Sequence, residues 1–445
     1  MLAETYNKEL RALFRLAAPL AAAQAGSVLM GLVDVAVLGR LGARELAAAA
    51  LANAIFFTFS IMGMGMVMGV DPLIAQAVGA GNRARARHVL WQGVWLALVV
   101  AGVMTLVLLA ATYAIPYVGA QAELIDLAQV YLLIRLTSLV PFLLYFVVRS
   151  YLQAQHITRP LVLSTIAANI FNLVLDVALV FGFGPIPAMG VAGAAIATVI
   201  CTIVQLAMVA VVAWRVPVAE HVDHRWTTDE IRRAVRVGLP LGMQMGAEVG
   251  VFALVGLLAA RLGTLQLAAH QLAISLASFT FTVAVGVASA GSVRVGQAIG
   301  ARNARGTRIA GHATFLAGIC VMGVSVLAFA FFPRAIARLV TDQENVIVTS
   351  LPLMLVAAVF QLSDGVQAVG AGVLRGAGDT KYAFIANLIG HWLIGLPVAL
   401  FLGFRAGLGV VGLWWGLCLG LTVVAVLLFV RFERLSRGEI APLAH

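Results

Sequence analysis

Charged residues are scarce in this chain of 445 residues, since aspartate, glutamate, lysine and arginine together make up only 11% of it. Soluble globular proteins carry about 25% of such residues. Hydrophobic residues reach 62%, and the mean hydropathy is +1.02. This balance excludes an ordinary soluble domain and predicts a polytopic membrane protein.

Cysteine is also rare, and the usual signatures of catalysis are missing. Cys201, Cys320 and Cys418 each fall in an apolar stretch, with no metal-ligand spacing and no disulfide framework. The sequence has no glycine-rich phosphate loop, metal cluster or nucleophile–base pair, which excludes ATP-driven transport within this chain. We therefore expect no enzyme, no catalytic residues, no cofactor and no removable signal peptide.

The net charge of +10 is mostly arginine, in short clusters between apolar runs. That placement is what membrane topology requires, and it argues against a nucleic-acid partner. Of the 29 lysines and arginines, 22 fall on one side if the N-terminus and every even-numbered connection lie there, and six fall on the other. The positive-inside rule then predicts two cytoplasmic termini and a multi-pass protein of the cell (inner) membrane.

Twelve apolar runs have the length that a helix needs to cross a bilayer, about 20 residues. We place them near 16–38, 46–70, 89–115, 124–148, 160–182, 190–214, 237–260, 267–293, 309–332, 345–372, 382–402 and 408–430. The predicted fold class is an all-α integral membrane protein with twelve transmembrane helices in two homologous six-helix lobes.

The two lobes are indicated by a repeat at a constant offset along the chain. The triplet at 40–42 returns at 261–263, Pro19 returns as Pro240, and the stretch 76–82 returns at 297–303. Six crossings per half give both repeats the same orientation, which favours a pseudo-two-fold axis along the membrane normal. We predict an N-terminal lobe at 1–215, a cytoplasmic linker at 216–236 and a C-terminal lobe at 237–445.

Four acids stand nearly alone inside membrane-length segments. A charge at mid-bilayer costs about 2.5–3.5 kcal/mol even on lenient scales, so function usually explains it. These acids are Asp34, Asp176, Glu248 and Asp364. They predict a protein that moves cations or protons.

In the first half, a polar stripe runs along segment 5. Thr165, Asn169, Asn172 and Asp176 follow spacings of four, three and four, which place them on one helical face. We expect Asn172, Asp176 and Asp34 to form a cation or proton site. The alternatives are plain interhelical hydrogen bonding for the stripe, an ion pair of Asp176 with Arg135, and a hydrated Asp34 near the outer mouth.

In the second half, each acid has an amide and an aromatic residue one turn away. Gln244 and Phe252 flank Glu248, whereas Phe360, Gln361 and Gln367 flank Asp364. Such a carboxylate can exchange a proton, bind Na⁺ or hold an organic cation, with a phenyl face adding cation–π attraction. The five neighbours are substrate-cavity candidates. The alternative is two protonated acids that only hydrogen-bond adjacent helices.

One histidine lies within segment 11, at position 391. A histidine in such an apolar segment is more often a hydrogen-bonded interior residue than a proton carrier. The sequence alone therefore predicts no functional role for His391.

The chain resembles the multidrug and toxic compound extrusion (MATE) family, and within it the NorM-type exporters. The resemblance covers essentially the whole length and is most specific in the runs 31–34, 289–296, 360–364, 374–376 and 379–381. It implies that Glu248 and Asp364 form a cation site in the second lobe, and that Asp34, Asp176 and Asn172 serve coupling in the first. Some relatives carry tyrosine where this chain has Phe360, which removes one oxygen ligand.

The resemblance further implies a secondary active multidrug efflux transporter. It would exchange amphipathic or cationic organic compounds for Na⁺ or H⁺ by alternating access of two lobes, as a monomer in membrane lipid. The alternative is a lipid-precursor flippase of the same broad superfamily. Such flippases tend to carry buried basic residues, whereas the embedded charges here are mostly acidic, with Arg135 the main exception.

Overall fold

The computed structural model describes residues 2–118, 121–218 and 220–443. Within these ranges the chain forms α-helices and no β-strand, apart from one isolated bridge between Phe183 and Ile186. The first half contains α1 (Leu2–Leu38), α2 (Ala43–Val67), α3 (Val70–Gly79), α4 (Arg83–Ala114), α5 (Ala122–Leu136), α6 (Leu139–Ala154), α7 (Arg159–Phe181) and α8 (Gly190–Arg215). The second half contains α9 (Thr228–Arg261), α10 (Thr264–Gly300), α11 (Ala304–Phe331), α12 (Pro333–Arg338), α13 (Glu344–Ala377), α14 (Thr380–Asn387), α15 (Leu396–Leu400) and α16 (Gly409–Leu435).

Among the described residues, eleven helical stretches are long and apolar enough to cross a membrane. A bent pair, Glu123–Leu136 with Leu139–Ala154, makes twelve when it counts as one span. The all-α membrane class is therefore confirmed. The broken span falls on the fourth predicted segment, and its two parts meet at an angle of 44°.

Proline explains this break. Pro141 has no N–H for the carbonyl four residues earlier, and its ring crowds that carbonyl, which belongs to Thr137 at the break. Pro72 acts in the same way on Met68, between α2 and α3. The repeat places Val293 opposite Pro72, and α10 runs through that position without interruption.

Some helices of this chain bury polar residues and expose apolar ones, which is the reverse of helices in soluble proteins. The buried positions of α7 include Thr165, Asn172 and Asp176, whereas Ile170 and Val174 are exposed. An apolar outer face suits lipid, and polar groups inside the hydrocarbon layer need partners within the protein. The fold therefore turns the polar stripe inward.

Packing divides the chain into two compact units. The N-terminal unit is Ala22–Gly242, and the C-terminal unit combines Met1–Ala21 with Met243–His445. The changeovers come after Ala21 and after Gly242, each two residues beyond a proline, Pro19 or Pro240, that the repeat relates to the other. The lobes predicted from the repeat have different bounds, and that division stays a prediction.

In the N-terminal unit, the beginning of α9 lies against α2. An added Cβ at Gly238 would collide with the carbonyl of Met66, and one at Gly242 would lie close to Met66 as well. Small residues allow such close approach between membrane helices. The preceding segment is also held, because Gln92 on α4 donates to the Arg225 carbonyl at 2.6 Å.

In the C-terminal unit, α13 packs against α10, α11 and α16 and is largely buried. The beginning of α1 joins this unit: Gly286 on α10 leaves no room for a side chain beside Ala21. Arg294 also donates twice to the Glu9 carboxylate, at 2.7 and 2.6 Å. This ion pair is mostly shielded from water.

The span Thr380–Arg405 departs from regular α-helix geometry. Its middle, Leu388–Gly395, is π-helical, and a second π-helical stretch occupies Phe401–Arg405. Gly390 and Gly395 of the first stretch lie against the backbone of Gly420 on α16. π-helical turns inside α-helices frequently occur at functional sites.

Candidate functional site

The four predicted acids form two clusters, one in each unit. In the C-terminal unit, Glu248 on α9 is the centre of a hydrogen-bonded group. Its Oε2 accepts from the Gln367 amide on α13 at 3.2 Å and from the Asn387 amide on α14 at 3.3 Å. Three helices thus meet at one carboxylate.

Asp364 belongs to the same group. It lies one turn before Gln367 on α13, it is buried, and it is close enough to Glu248 for their charges to interact. The amide oxygens of Gln367 and Asn387 have no hydrogen-bond partner within the described residues. Two carboxylates beside two such amides can hold a proton or a hard cation.

An aromatic wall stands next to this group. The ring of Phe252 contacts that of Phe360 edge to face at 6.2 Å, and Phe360 in turn packs on Trp414 at 5.3 Å. Phe360 is buried, whereas Phe252 keeps part of its surface. Phe252 is therefore the more accessible of the two rings.

The two remaining cavity candidates lie in different surroundings. Gln361 donates its amide to the Thr280 hydroxyl on α10. Gln244 is buried one turn before Glu248, and its amide oxygen has no partner in the part of the chain that the structure describes. Within the described residues, neither side chain forms a hydrogen bond with the Glu248 carboxylate, whose donors are Gln367 and Asn387.

In the N-terminal unit, Asp34 on α1 is bound from two helices. Its Oδ1 accepts from the Asn172 amide on α7 at 2.9 Å, and its Oδ2 accepts from the Thr198 hydroxyl on α8 at 3.3 Å. Asp34 is partly exposed, whereas Asn172 is fully buried.

Asp176 completes this second cluster. It is fully buried, and among the described residues neither of its carboxylate oxygens has a partner of hydrogen-bond geometry. Its charge interacts with that of Asp34, and the buried Tyr131 on α5 lies near both acids and the Thr198 side chain. Two close carboxylates repel when both are charged, so a proton or a cation stabilises the pair.

The rest of the α7 stripe joins helices together. Asn169 donates to the Gly26 carbonyl on α1 at 2.9 Å, and Gln205 on α8 donates to the Thr165 hydroxyl at 3.1 Å. Interhelical hydrogen bonding therefore accounts for Thr165 and Asn169. It does not account for Asp176.

Arg135 is no partner for these acids by direct pairing. Its guanidinium lies over the Phe56 ring, 4.3 Å from the centroid, and donates to Ser138 at 3.4 Å. Across the described ranges it forms no ion pair with a carboxylate. Arg135 therefore does not neutralise Asp34 or Asp176 through an ion pair.

Three site residues were missed at the level of sequence. Asn387 and Tyr131 lie inside apolar segments, where a lone polar side chain is a usable signal. Thr198 gave no signal, because threonine commonly bonds to its own helix, and here it also donates to the Ala194 carbonyl at 2.9 Å.

Comparison with known proteins gives one family, MatE, whose model matches this chain twice, at residues 19–178 and 240–401. The two matches begin at positions 19 and 240, the pair of prolines that the repeat relates. The same family thus describes both halves.

Curated relatives match nearly the whole chain. A probable multidrug resistance protein NorM of Deinococcus radiodurans is 36% identical over 439 residues, covering 97% of this chain and 96% of the relative. Another, of Rhizobium meliloti, is 34% identical over 437 residues, with coverage of 96% and 94%. The multidrug resistance protein NorM of Aliivibrio fischeri is 32% identical, with coverage of 97% and 96%.

Solved structures share the fold at lower identity. The eukaryotic MATE transporter AtDTX14 has a TM-score of 0.86 at 22% identity, covering 97% of this chain and 98% of its own. An outward-facing multidrug resistance MATE family transporter of the MOP superfamily has a TM-score of 0.88 at 21% identity, with 96% of both chains covered.

Proposed function

Since the chain belongs to the MatE family, a family of transporters rather than enzymes, we propose that it is a secondary active multidrug exporter. It exchanges amphipathic or cationic organic compounds for inward Na⁺ or H⁺. The observation that carries this proposal is the Glu248 cluster, in which a carboxylate buried in a membrane span receives two amide donors and neighbours a second acid.

The chemistry of the Glu248 cluster fits a small cation. Glu248 and Asp364 offer carboxylate oxygens, and a flip of the Gln367 or Asn387 amide offers a neutral oxygen in place of the N–H₂. The family resemblance implies a tyrosine at the position of Phe360 in some members, and the phenyl ring here offers no oxygen to a cation. The Na⁺ shell is therefore one ligand poorer here, which favours a proton at this cluster.

The same cluster suits the other partner of the exchange. A deprotonated Glu248 attracts an organic cation, and Phe252 offers a partly exposed phenyl face for cation–π contact. Ion and drug then compete for one negative charge. Binding of the inward ion neutralises the carboxylate and releases the drug on the outer side.

The cluster of Asp34 and Asp176 supplies a second site for the coupling ion. Asn172 and Thr198 hold Asp34 in place, and the buried Asp176 lies close enough for its charge to interact with that of Asp34. Two homologous halves in one orientation suit alternating access, in which the site opens first to one side and then to the other. One charge moving inward yields about 2.3 kcal/mol per 100 mV, enough for a modest drug gradient.

The remaining features follow from this proposal. The protein works as a monomer in the lipid of the inner membrane, with both termini cytoplasmic and no nucleic-acid partner. A lipid-precursor flippase is disfavoured, because both polar clusters are acidic and the embedded Arg135 stacks on an aromatic ring instead of lining a pyrophosphate site.

Ethidium efflux from liposomes, with Na⁺ and H⁺ gradients imposed separately, tests the proposal. We expect Glu248→Gln and Asp364→Asn to abolish efflux at equal protein content. Asp126→Asn, which changes an exposed acid of α5, should leave it intact. Wild-type rates in both cluster variants would remove the Glu248 cluster from the mechanism.

A further inference from the structure

His391 is buried in the C-terminal unit without a hydrogen-bond partner. It is 1% exposed, and within the described residues neither ring nitrogen is bonded. The ring approaches the backbone of Asn387, one turn earlier, without meeting hydrogen-bond geometry. The other buried histidine of this unit, His270, is different, because it accepts from the Trp414 indole at 3.1 Å.

Such a histidine requires a partner from outside the chain. A neutral imidazole always has one N–H to donate and one lone pair to accept with, and buried polar groups in native proteins are almost all bonded. We take the missing partner of His391 to be water or a transported molecule. The prediction of an interior histidine satisfied by the protein is wrong at this position.

The backbone around His391 is π-helical, which affects where its side chain lies. His391 lies at the centre of the π-helical stretch Leu388–Gly395, where wider turns displace side chains from the regular helical face. Gly390, its neighbour in sequence, packs directly on α16. The stretch thus packs against α16 through Gly390 and contacts α9 through other side chains.

The contacts of this face with α9 define its register. Asn387 bonds Glu248, Trp392 donates to the Ala247 carbonyl at 3.1 Å, and the His391 ring lies 6.2 Å from that of Phe252. From the Asn387–Glu248 pair to the His391–Phe252 pair the chain advances four residues on each helix, whereas the longer Trp392 side chain reaches back to Ala247, one residue before Glu248. His391 lies one turn beyond Glu248, toward the outer side in the orientation that the arginines predict.

We infer that His391 carries protons between the outer side and Glu248. This inference rests on the proposed exchange of drug for cation, and it makes H⁺ the ion of the Glu248 cluster. Water on the outer side gives a proton to the free ring nitrogen, and the imidazolium passes one proton to the Glu248 carboxylate. Glu248 becomes neutral, His391 returns to its neutral form, and one positive charge has moved inward.

Few other groups could take this role. The titratable residues that neighbouring elements bring to this region are Glu248 on α9, Asp364 on α13, Cys418 on α16 and His270 on α10, whose Nε2 lies 3.7 Å from the place of a Cβ at Gly256. Lys381 and Tyr382 on α14 lie about two and a half turns away toward its other end, and α15 has no titratable residue. Of the two histidines, His391 lies one turn beyond Glu248 along α9 and His270 two turns beyond it, and within the described residues only His391 has both ring nitrogens without a partner.

Reconstituted wild type, His391→Gln and His391→Phe test the inference. Glutamine can still hydrogen-bond but cannot carry a proton, and His270→Gln serves as a control at a partnered histidine. We expect ΔpH-driven ethidium efflux to fall about 100-fold in both His391 variants, the usual range for loss of a proton-transfer group. Ethidium affinity should change by less than about threefold, since Glu248 and Phe252 remain.

A second measurement separates proton delivery from a structural role. Rapid mixing of purified protein with ethidium, in weak buffer with a pH dye, should release protons from Glu248. In His391→Gln the release should be slower but of unchanged amplitude, whereas Glu248→Gln should remove the amplitude itself. A reduced amplitude in His391→Gln would overturn the inference.

The other outcomes are equally distinct. Normal ΔpH-driven efflux in His391→Gln would overturn proton delivery by His391. If efflux were normal in His391→Gln but slow in His391→Phe, a hydrogen bond between residue 391 and the drug would explain the pair of results. Efflux of wild type by a Na⁺ gradient alone would overturn the inference and leave export standing. Absence of efflux under both gradients would overturn the proposed function as well.

Discussion

Asn387→Leu is the substitution that most directly tests the Glu248 cluster. Leucine has nearly the shape of asparagine but cannot donate to the carboxylate. Hydrogen bonds to charged groups contribute about 1.5–3 kcal/mol. The Asn387–Glu248 distance of 3.3 Å is longer than usual for N–H···O, so we take the lower end. A loss of about 1.5 kcal/mol from the charged carboxylate weakens ethidium binding roughly tenfold.

Fluorescence titration of the purified protein in detergent measures that change. Asn345→Leu is the matched control, because Asn345 is exposed at the start of α13, outside the cluster. A double-mutant cycle with Glu248→Gln then isolates the interaction. In the Glu248→Gln background we expect the Asn387 substitution to matter by no more than about 0.5 kcal/mol.

Two results would refute this reasoning. The first is an ethidium affinity in Asn387→Leu within twofold of wild type. The second is simple additivity of the two substitutions, which would mean that the amide stabilises the helix packing and has no specific effect on the carboxylate. Either result would leave Gln367 as the one donor to Glu248 of functional weight.

Three further predictions concern other contacts. Thr198→Val should slow efflux several-fold, because Asp34 loses a donor worth about 1 kcal/mol, and Thr198→Ser should restore it. Gly390→Ala should lower the melting temperature in detergent, because its Cβ would lie 2.6 Å from a carbonyl oxygen of α16. Such overpacking costs about 1–3 kcal/mol. As the control, Gly102→Ala places a Cβ at an open helical position and should raise the melting temperature. Glu9→Gln should destabilise the protein by about 1.5 kcal/mol, because Arg294 loses the opposite charge and one of its two acceptors, and an unchanged melting temperature would contradict this.

Hydropathy and charge were sufficient to predict the membrane class and the number of segments. Apolar length is a local property, and the bilayer imposes it on every span alike. The break in the fourth segment could also have been predicted, because Pro141 interrupts the helix by the same chemistry wherever it occurs. The convergence of Asp34 with Asn172 needed only the spacing on α7 and a lone acid on α1.

The donors to the acids were harder to predict. Asn387 comes from a helix more than a hundred residues away from Glu248 in sequence, so only packing brings them together. Thr198 looks like any threonine that bonds to its own helix. The state of His391 depended on which partners are absent, and a sequence pattern carries no information about an unmade hydrogen bond.

The exchange of helix beginnings between the two compact units has a consequence for how such a chain can arise and be divided. A cut between α8 and α9 yields two fragments, and neither contains a whole unit, since each carries the first helical turns that complete the other. We expect the fragments to be stable only when produced together. Two separate copies of a single repeat would have to exchange their first helical turns, as the subunits of a domain-swapped dimer do.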